Sequence, residues 1–221
     1  MGSRTLAVFD FDHTITSWDT AARFFVWLIR RNLWKLGIVL AVLPLLGPLL
    51  VFRRTRKVPL RFGAWVATLG ISHARLRVLA RAHLSEVLEQ GEKFVRDDAL
   101  ARINHHLAEG HEVVVATGSL EVLAREILLA EGLSAVIVVG SSVRRYFGGM
   151  VVLEHCFGEH KIPMLAARGF AEPWDFVYSD HQADLPLLLR GKKRYLVNPQ
   201  PSCASRLIAE LGATATVVSW S

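Results

Sequence analysis

The stretch Thr5-Leu6-Ala7-Val8-Phe9-Asp10-Phe11-Asp12-His13-Thr14 is a short apolar run that ends in two acids two residues apart. Its length and its polar boundary predict a buried strand over residues 5–10. Residues two apart on an extended chain face the same side. Asp10 and Asp12 can therefore address one ligand, the first as a nucleophile and the second as a proton donor, with a metal ion between the first and other ligands. The same residues also suit an acidic turn ahead of a helix, so the doublet alone does not decide.

Outward from this stretch, four more apolar runs, at residues 113–117, 136–139, 176–178 and 195–197, predict strands. Helical patterns at 119–131, 161–168 and 185–190 fall between them. Alternation of this kind implies an α/β fold, a parallel sheet covered on both faces. In such sheets ligands bind beyond the carboxyl ends of the strands. The residues at those ends are Asp10, Asp12, Thr117, Ser119, Asp180 and Asp184. Residues 17–110 contain no convincing strand; 17–31 and 72–90 read as helices, the second with Ser72 as N-cap and Gly91 as a stop. Gly148-Gly149, between Tyr146-Phe147 and Met150-Val151, reads as a hairpin turn. Residues 213–221 fit either an edge strand or a tail.

Of the 221 residues, 52% are apolar and 21% charged, which excludes a disordered chain. Cys156 and Cys203 are too few for a disulfide framework or a zinc site and fit a reducing compartment. The hydrophobic excess is concentrated in residues 36–52, seventeen positions without a charge. No secretory signal is read there, because cleavage after that run would discard the acidic doublet. The net charge of +6 calls for an acidic partner. Arg30, Arg31 and Lys35 precede the apolar run, and Arg53, Arg54, Arg56, Lys57 and Arg61 follow it. Cations bordering the most apolar segment favour an anionic membrane surface over nucleic acid.

Three further clusters carry chemistry. Thr117-Gly118-Ser119 ends a strand where a helix begins, and hydroxyls with backbone N–H groups at a helix start suit a phosphoryl anion. Lys161 can offset charge on a transferring phosphoryl group. Asp180 and Asp184, four apart after a strand, can complete an oxygen-rich magnesium site. In this order the four clusters resemble the haloacid dehalogenase superfamily of phosphohydrolases, in its branch with a helical cap inserted after the first motif. The resemblance implies a Rossmann-like core of residues 1–14 and 91–221 and a cap of residues 15–90. Asp10 would form an aspartyl-phosphate, and Asp12 would be the general acid and then the base for water. Thr117, Gly118, Ser119 and Lys161 would bind the phosphoryl group. Asp10, the Asp12 carbonyl and Asp180 would hold Mg²⁺, with Asp184 as a further ligand or an orienter of its waters. His13 stands where the family usually has glycine, and His181 where it often has serine.

The cap should choose the substrate. Trp18, Trp27, Trp34 and Trp65 beside arginines suit an interfacial segment. A single crossing by residues 36–52 would separate Asp10 from Asp180, which must share one site. The segment is therefore expected to return, as a re-entrant hairpin broken near Pro44, Gly47 and Pro48, or to lie in the interface. The bland alternative is a soluble cap with that segment buried. Arg30-Arg31, the Leu43-Pro44-Leu45-Leu46 stretch, Gly70 to Leu76, Thr117-Gly118-Ser119, Tyr146-Phe147-Gly148-Gly149 and Cys156 to Lys161 together resemble the bacterial phosphatidylglycerophosphatase C family, which implies an anionic phospholipid substrate at the cytoplasmic side of the inner membrane. Arg75, Arg77 and Arg144 are headgroup candidates by charge and position. The competing enzymatic reading is a soluble phosphatase of the phosphoserine type, in which Asp19 would hold the substrate's ammonium. A non-enzymatic membrane-bound scaffold of the same fold is a third reading, disfavoured by the complete set of site residues.

Overall fold

In the computed structural model, which describes residues 4–52, 54–212 and 215–221, the apolar runs form strands. Among these residues seven strands make one sheet: β1 (Leu6–Phe9), β2 (Glu112–Leu120), β3 (Ile137–Tyr146), β4 (Gly149–Glu154), β5 (Trp174–Ser179), β6 (Gly191–Val197) and β7 (Ala215–Val218), in the order β4-β3-β2-β1-β5-β6-β7. All neighbours are parallel except the β3–β4 pair. β1 is central, and its two-residue period splits its side chains between two cores. Ala7 and Phe9 join Val113, Val115 and Tyr178 on one face, whereas Leu6 and Val8 join Val114, Ala116 and Val177 on the other. Fully burying Leu, Val or Phe contributes about 1.5–3 kcal/mol each, which fixes the register of the strand that carries Asp10. With β2 on one side and β5 on the other, Asp10 sits at the point where strand order reverses, where a crevice opens.

The nine helices of the described residues are α1 (Thr20–Arg30), α2 (Leu33–Leu46), α3 (Lys57–Ala67), α4 (His73–Glu89), α5 (Asp97–Ala108), α6 (Glu121–Ala130), α7 (Lys161–Ala167), α8 (Leu185–Leu189) and α9 (Pro201–Leu211). α1 to α5 all lie between β1 and β2 in sequence. Ser72 caps α4 by accepting the Arg75 N–H at 3.2 Å, and Gly91 leaves the helix with φ +76°. α4 is tied to α6 by Arg77 and Arg81, which both reach the buried Glu126, at 2.7 and 2.6 Å. Arg77 therefore serves the helix contact as well as standing near the surface, which weakens it as a headgroup ligand.

Several elements depart from the sequence reading. Ser119 does not begin a helix: β2 runs on to Leu120, with a register shift between Thr117 and Leu120, and α6 starts at Glu121. The hairpin turns on Phe147-Gly148, one residue earlier than expected, both with positive φ (45° and 82°). Gly149 is needed for a different reason: a Cβ there would lie 2.6 Å from the Trp65 carbonyl oxygen. Three contacts join the end of α3 and the chain just after it to the hairpin: Trp65 Nε1 donates to the Tyr146 carbonyl at 2.9 Å, Gly70 N to the Gly148 carbonyl at 2.8 Å, and Met150 N to Thr68 Oγ1 at 2.8 Å. Residues 215–218 are an edge strand on β6, and Trp220 packs on Tyr178; Ala213 lies outside the described residues, as does Arg53 of the basic flank.

The apolar run does not break midway. α2 continues through Pro44 to Leu46 and passes into a 3₁₀ turn at Gly47–Leu50. Leu33–Leu50 is long and apolar enough to cross a bilayer, and only 6% of it is buried, so it is not a core helix. α3 runs back along α2, because Lys35, near the start of α2, donates its ammonium to the Ala67 carbonyl at the end of α3 (2.7 Å). Lys35 is 2% exposed and, contrary to expectation, is no part of a basic rim. Burial lowers its pKa.

His83 of α4 is buried among Phe24, Trp27 and Phe94 with neither ring nitrogen bonded, so burial, aided by Arg23, lowers its pKa to about 4. An unfolded histidine titrates near 6.5. The neutral ring thus favours folding fully above about pH 6.5, and that contribution is lost as pH falls toward 4. His83→Leu is expected to leave stability at pH 7 unchanged or raised and to gain up to about 3 kcal/mol relative to wild type at pH 4. Urea unfolding midpoints at the two pH values check this; an equal shift at both would contradict it.

Candidate active site

Asp10 continues β1 by one residue, its N–H donating to the Tyr178 carbonyl at 2.8 Å, and this brings it beside Asp180 at the end of β5. Thr14, in the turn after Asp10, joins the two strand ends. Its hydroxyl accepts the Asp180 N–H at 3.0 Å and lies 3.0 Å from Asp180 Oδ1 and 3.5 Å from Asp10 Oδ2. The turn needs a residue with positive φ at position 13, and His13 adopts it at 62° with its side chain exposed. Glycine would take that conformation without strain, so the histidine meets a backbone requirement rather than filling the crevice.

Lys161 is 2% exposed and donates to Asp10 Oδ1 and Asp184 Oδ2, both at 2.6 Å. Burial alone would lower its pKa, but the two carboxylates raise it above the ordinary lysine value, so it remains an ammonium. Asp184 Oδ2 also accepts from Ser179 Oγ at 2.8 Å, while its buried Oδ1 has no partner. Burial pushes the Asp184 carboxyl up to about 6 against the pull of Lys161. Burial also raises Asp10, Asp12 and Asp180.

Asp12 faces a different set of groups. Its Oδ1 accepts from the N–H and hydroxyl of Thr20, at 2.8 and 2.7 Å, and its Oδ2 lies 3.4 Å from Thr117 Oγ1. Thr20 in turn meets Ser119 Oγ at 2.9 Å. Thr117 Oγ1 accepts the Ser119 N–H at 2.9 Å, and the Gly118 carbonyl accepts from Ser141 Oγ at 2.8 Å. The crevice therefore gathers Asp10, Asp12, Thr117, Ser119, Lys161, Asp180 and Asp184. Asp19 stands apart: it is exposed and caps α1, accepting the Ala22 N–H at 2.8 Å, so its carboxylate is engaged in helix capping. His181 likewise does local work, its Nδ1 accepting the Ala183 N–H. Thr14, Thr20 and Ser179 were not singled out from the sequence; only the spatial convergence of distant segments marks them.

Four acids against one lysine leave negative charge uncompensated, in an oxygen-only donor set that suits a hard divalent cation. Among the described residues no three His, Cys, Asp or Glu side chains converge as a cage. Two carboxylates with waters and substrate oxygens are the usual protein share of a magnesium site, and Asp10 and Asp180, joined through Thr14, fit that share. The Asp12 side chain is held by Thr20, which leaves its backbone carbonyl as the expected metal-facing group, and Asp184, expected as a further ligand or an orienter of the metal's waters, gives Oδ2 to Lys161 and Ser179 while its buried Oδ1 has no partner.

Beside the Thr117–Ser119 segment a cavity of about 630 Å³ opens between the helical insertion and the sheet. It is mainly apolar, with Phe25, Leu60, Leu76, Met150 and Leu153 among its walls, and it reaches Gly118. A buried acid–lysine cluster beyond the strand ends, next to an apolar cleft under a helical insertion, describes a hydrolytic site on an α/β core.

The family model of haloacid dehalogenase-like hydrolases matches residues 7–189, and the chain belongs to that family. Among solved structures it is similar to a protein of unknown function from Bordetella pertussis Tohama I, with a TM-score of 0.73 and 23% identity over 98% of this chain and 99% of that one. It is also similar to a phosphoserine phosphohydrolase-like protein from Francisella tularensis, at a TM-score of 0.59 and 13% identity over 97% of this chain and 95% of the other. A phosphoserine phosphatase in its apo form gives 0.56 and 15%, covering 96% and 93%. At these identities the likeness is one of fold.

Proposed function

We propose that the protein is a magnesium-dependent phosphomonoesterase of membrane lipids, removing the terminal phosphate of phosphatidylglycerophosphate at the cytoplasmic face of the bacterial inner membrane. Asp10 attacks phosphorus, and the bond to the leaving oxygen breaks as Asp12 gives that oxygen its proton. Burial, which raises the Asp12 pKa, favours the protonated form needed for this donation. Water then attacks the aspartyl-phosphate, returning a proton to Asp12 and freeing phosphate from Asp10. Lys161 offsets the charge on the phosphoryl oxygens, and Thr117 offers its buried hydroxyl beside Asp12. A divalent cation held by Asp10, Asp180 and the Asp12 carbonyl would supply further charge neutralisation. Thr20 positions Asp12, and Thr14 positions Asp10 and Asp180.

The observation that carries the lipid reading is the exposed apolar helix α2, which packs on α1 and α3, two of the elements that wall the apolar cleft. Leu40, Leu43 and Leu45 of α2 are 57%, 48% and 76% exposed. Such a surface on a water-facing helix is what an interfacial segment presents. The antiparallel α2–α3 hairpin puts Arg54, Arg56 and Lys57 near its tip, where they would have to sit in hydrocarbon if the hairpin were deeply re-entrant. This favours a helix lying in the interface with its cations at headgroup level. The competing phosphoserine-type reading rests on Asp19, whose Oδ1 caps α1 by accepting the Ala22 N–H, and the choice of substrate decides between the two.

Phosphate release measured side by side on phosphatidylglycerophosphate, phosphatidic acid and phosphoserine tests the reading. The first is expected to be the best substrate; a preference for phosphoserine would overturn it. Changing Leu40, Leu43, Leu45 and Leu50 to serine is expected to lower binding to anionic liposomes at least tenfold. Each apolar side chain buried in the interface contributes on the order of 1 kcal/mol, and tenfold corresponds to about 1.4 kcal/mol. Unchanged co-sedimentation would remove α2 as the attachment site.

A further inference from the structure

Lys57 and Arg61 lie one turn apart on the face of α3 that also presents Ala64 and Thr68 to the cleft. Like charges at this spacing repel, and a helix ordinarily relieves the repulsion with an acid. Among the described residues neither side chain forms an ion pair or a hydrogen bond, although twelve ion pairs occur elsewhere in the fold. The two charges act on His155, on the opposite wall, which is held below the ordinary histidine pKa by burial and then by Arg61 and Lys57. His155 also abuts the phosphoryl-binding end: a Cβ on Gly118 would lie 3.8 Å from its Nε2. The cleft thus runs from Gly118, past His155, to two uncompensated cations, with apolar walls alongside.

We propose that Lys57 and Arg61 form an anion subsite for a second acidic group of the substrate, a phosphodiester linked to the scissile phosphomonoester through a short polyol. This deepens the lipid-phosphatase reading and rests on it. With the monoester at Asp10 and the diester at Lys57 and Arg61, the apolar walls receive the first carbons of the acyl chains. The subsite thereby distinguishes a two-phosphate lipid from a lipid with one phosphate.

The test is steady-state phosphate release in non-ionic detergent micelles, where no anionic bilayer attracts the enzyme. Phosphatidylglycerophosphate carries both groups, whereas phosphatidic acid lacks the diester. Lys57→Gln combined with Arg61→Gln is expected to reduce the ratio of kcat/KM values for the two lipids at least tenfold, chiefly through KM. Lys57→Arg with Arg61→Lys should keep the ratio. Both positions are exposed, so an unchanged melting temperature should accompany each variant. Equal losses on both lipids, or an unchanged ratio with weaker binding to anionic vesicles, would overturn the subsite while leaving the lipid reading intact. A wild-type preference for phosphoserine would remove the reading and the subsite together.

Discussion

Asp10→Asn is expected to abolish phosphate release, by on the order of 10⁴-fold or more, while the protein remains folded. An amide of the same shape keeps an oxygen for Lys161, which also retains Asp184 at 2.6 Å. The substitution removes one buried charge from a cluster in which Asp180 and Asp12 repel it, so the lost ion pair is offset by relief of desolvation and repulsion. What the amide lacks is the anionic oxygen that attacks phosphorus, and no other group at this distance replaces it. Asp12→Asn should slow both formation and breakdown of the aspartyl-phosphate without removing the nucleophile. Phosphate release and thermal unfolding, measured together, separate these effects; appreciable steady-state turnover by Asp10→Asn contradicts its role.

Lys161→Met is expected to fail on both counts. The ammonium lies between two buried carboxylates, and removing one member of such a cluster costs about 3–5 kcal/mol because the charges left behind are unpaired. Asp184 is the acute case: its Oδ1 already lacks a partner, and Ser179 alone would remain on Oδ2. Adding Asp184→Asn to Lys161→Met should restore part of the stability, since one of the stranded charges is then gone, but should not restore turnover, which needs a cation at the phosphoryl oxygens. Denaturant midpoints of the two single variants and the double variant read the coupling directly. Additive losses would show that Lys161 and Asp184 do not act as a pair.

The parts legible in the sequence were those written in local pattern. The apolar runs that became β1, β2, β5 and β6 were visible because strands buried on both faces leave an uninterrupted apolar stretch. Ser72 and Gly91 bounded α4 because capping is a matter of a few adjacent residues. The acids at the strand ends were visible because topology places strand ends together. What was not legible depends on contacts between distant segments. Ser119 looks like an N-cap, yet its hydroxyl meets Thr20 from the helical insertion. Lys35 looks like a basic flank until α3 folds back and supplies the Ala67 carbonyl. Asp19 looks like a substrate ligand by spacing from Asp10, whereas its role as N-cap, accepting the Ala22 N–H at the start of α1, shows only in the fold. α5 and α9 carried no strong signal; α5 is amphipathic, with Ala99, Ile103 and His106 inward, but short. The apolar run itself was plain in the sequence, whereas its exposure was not, since a buried helix and an interfacial one share that composition.

The most direct measurement is chemical trapping of the intermediate on the lipid substrate. The enzyme would be quenched during turnover of phosphatidylglycerophosphate in micelles, reduced with borohydride and analysed by peptide mass spectrometry, since reduction converts an acyl phosphate of aspartate to homoserine. Homoserine at position 10, absent without the lipid, is the predicted result. Aspartate retained at position 10 while phosphate is released, or homoserine found at another carboxylate of the crevice, contradicts it.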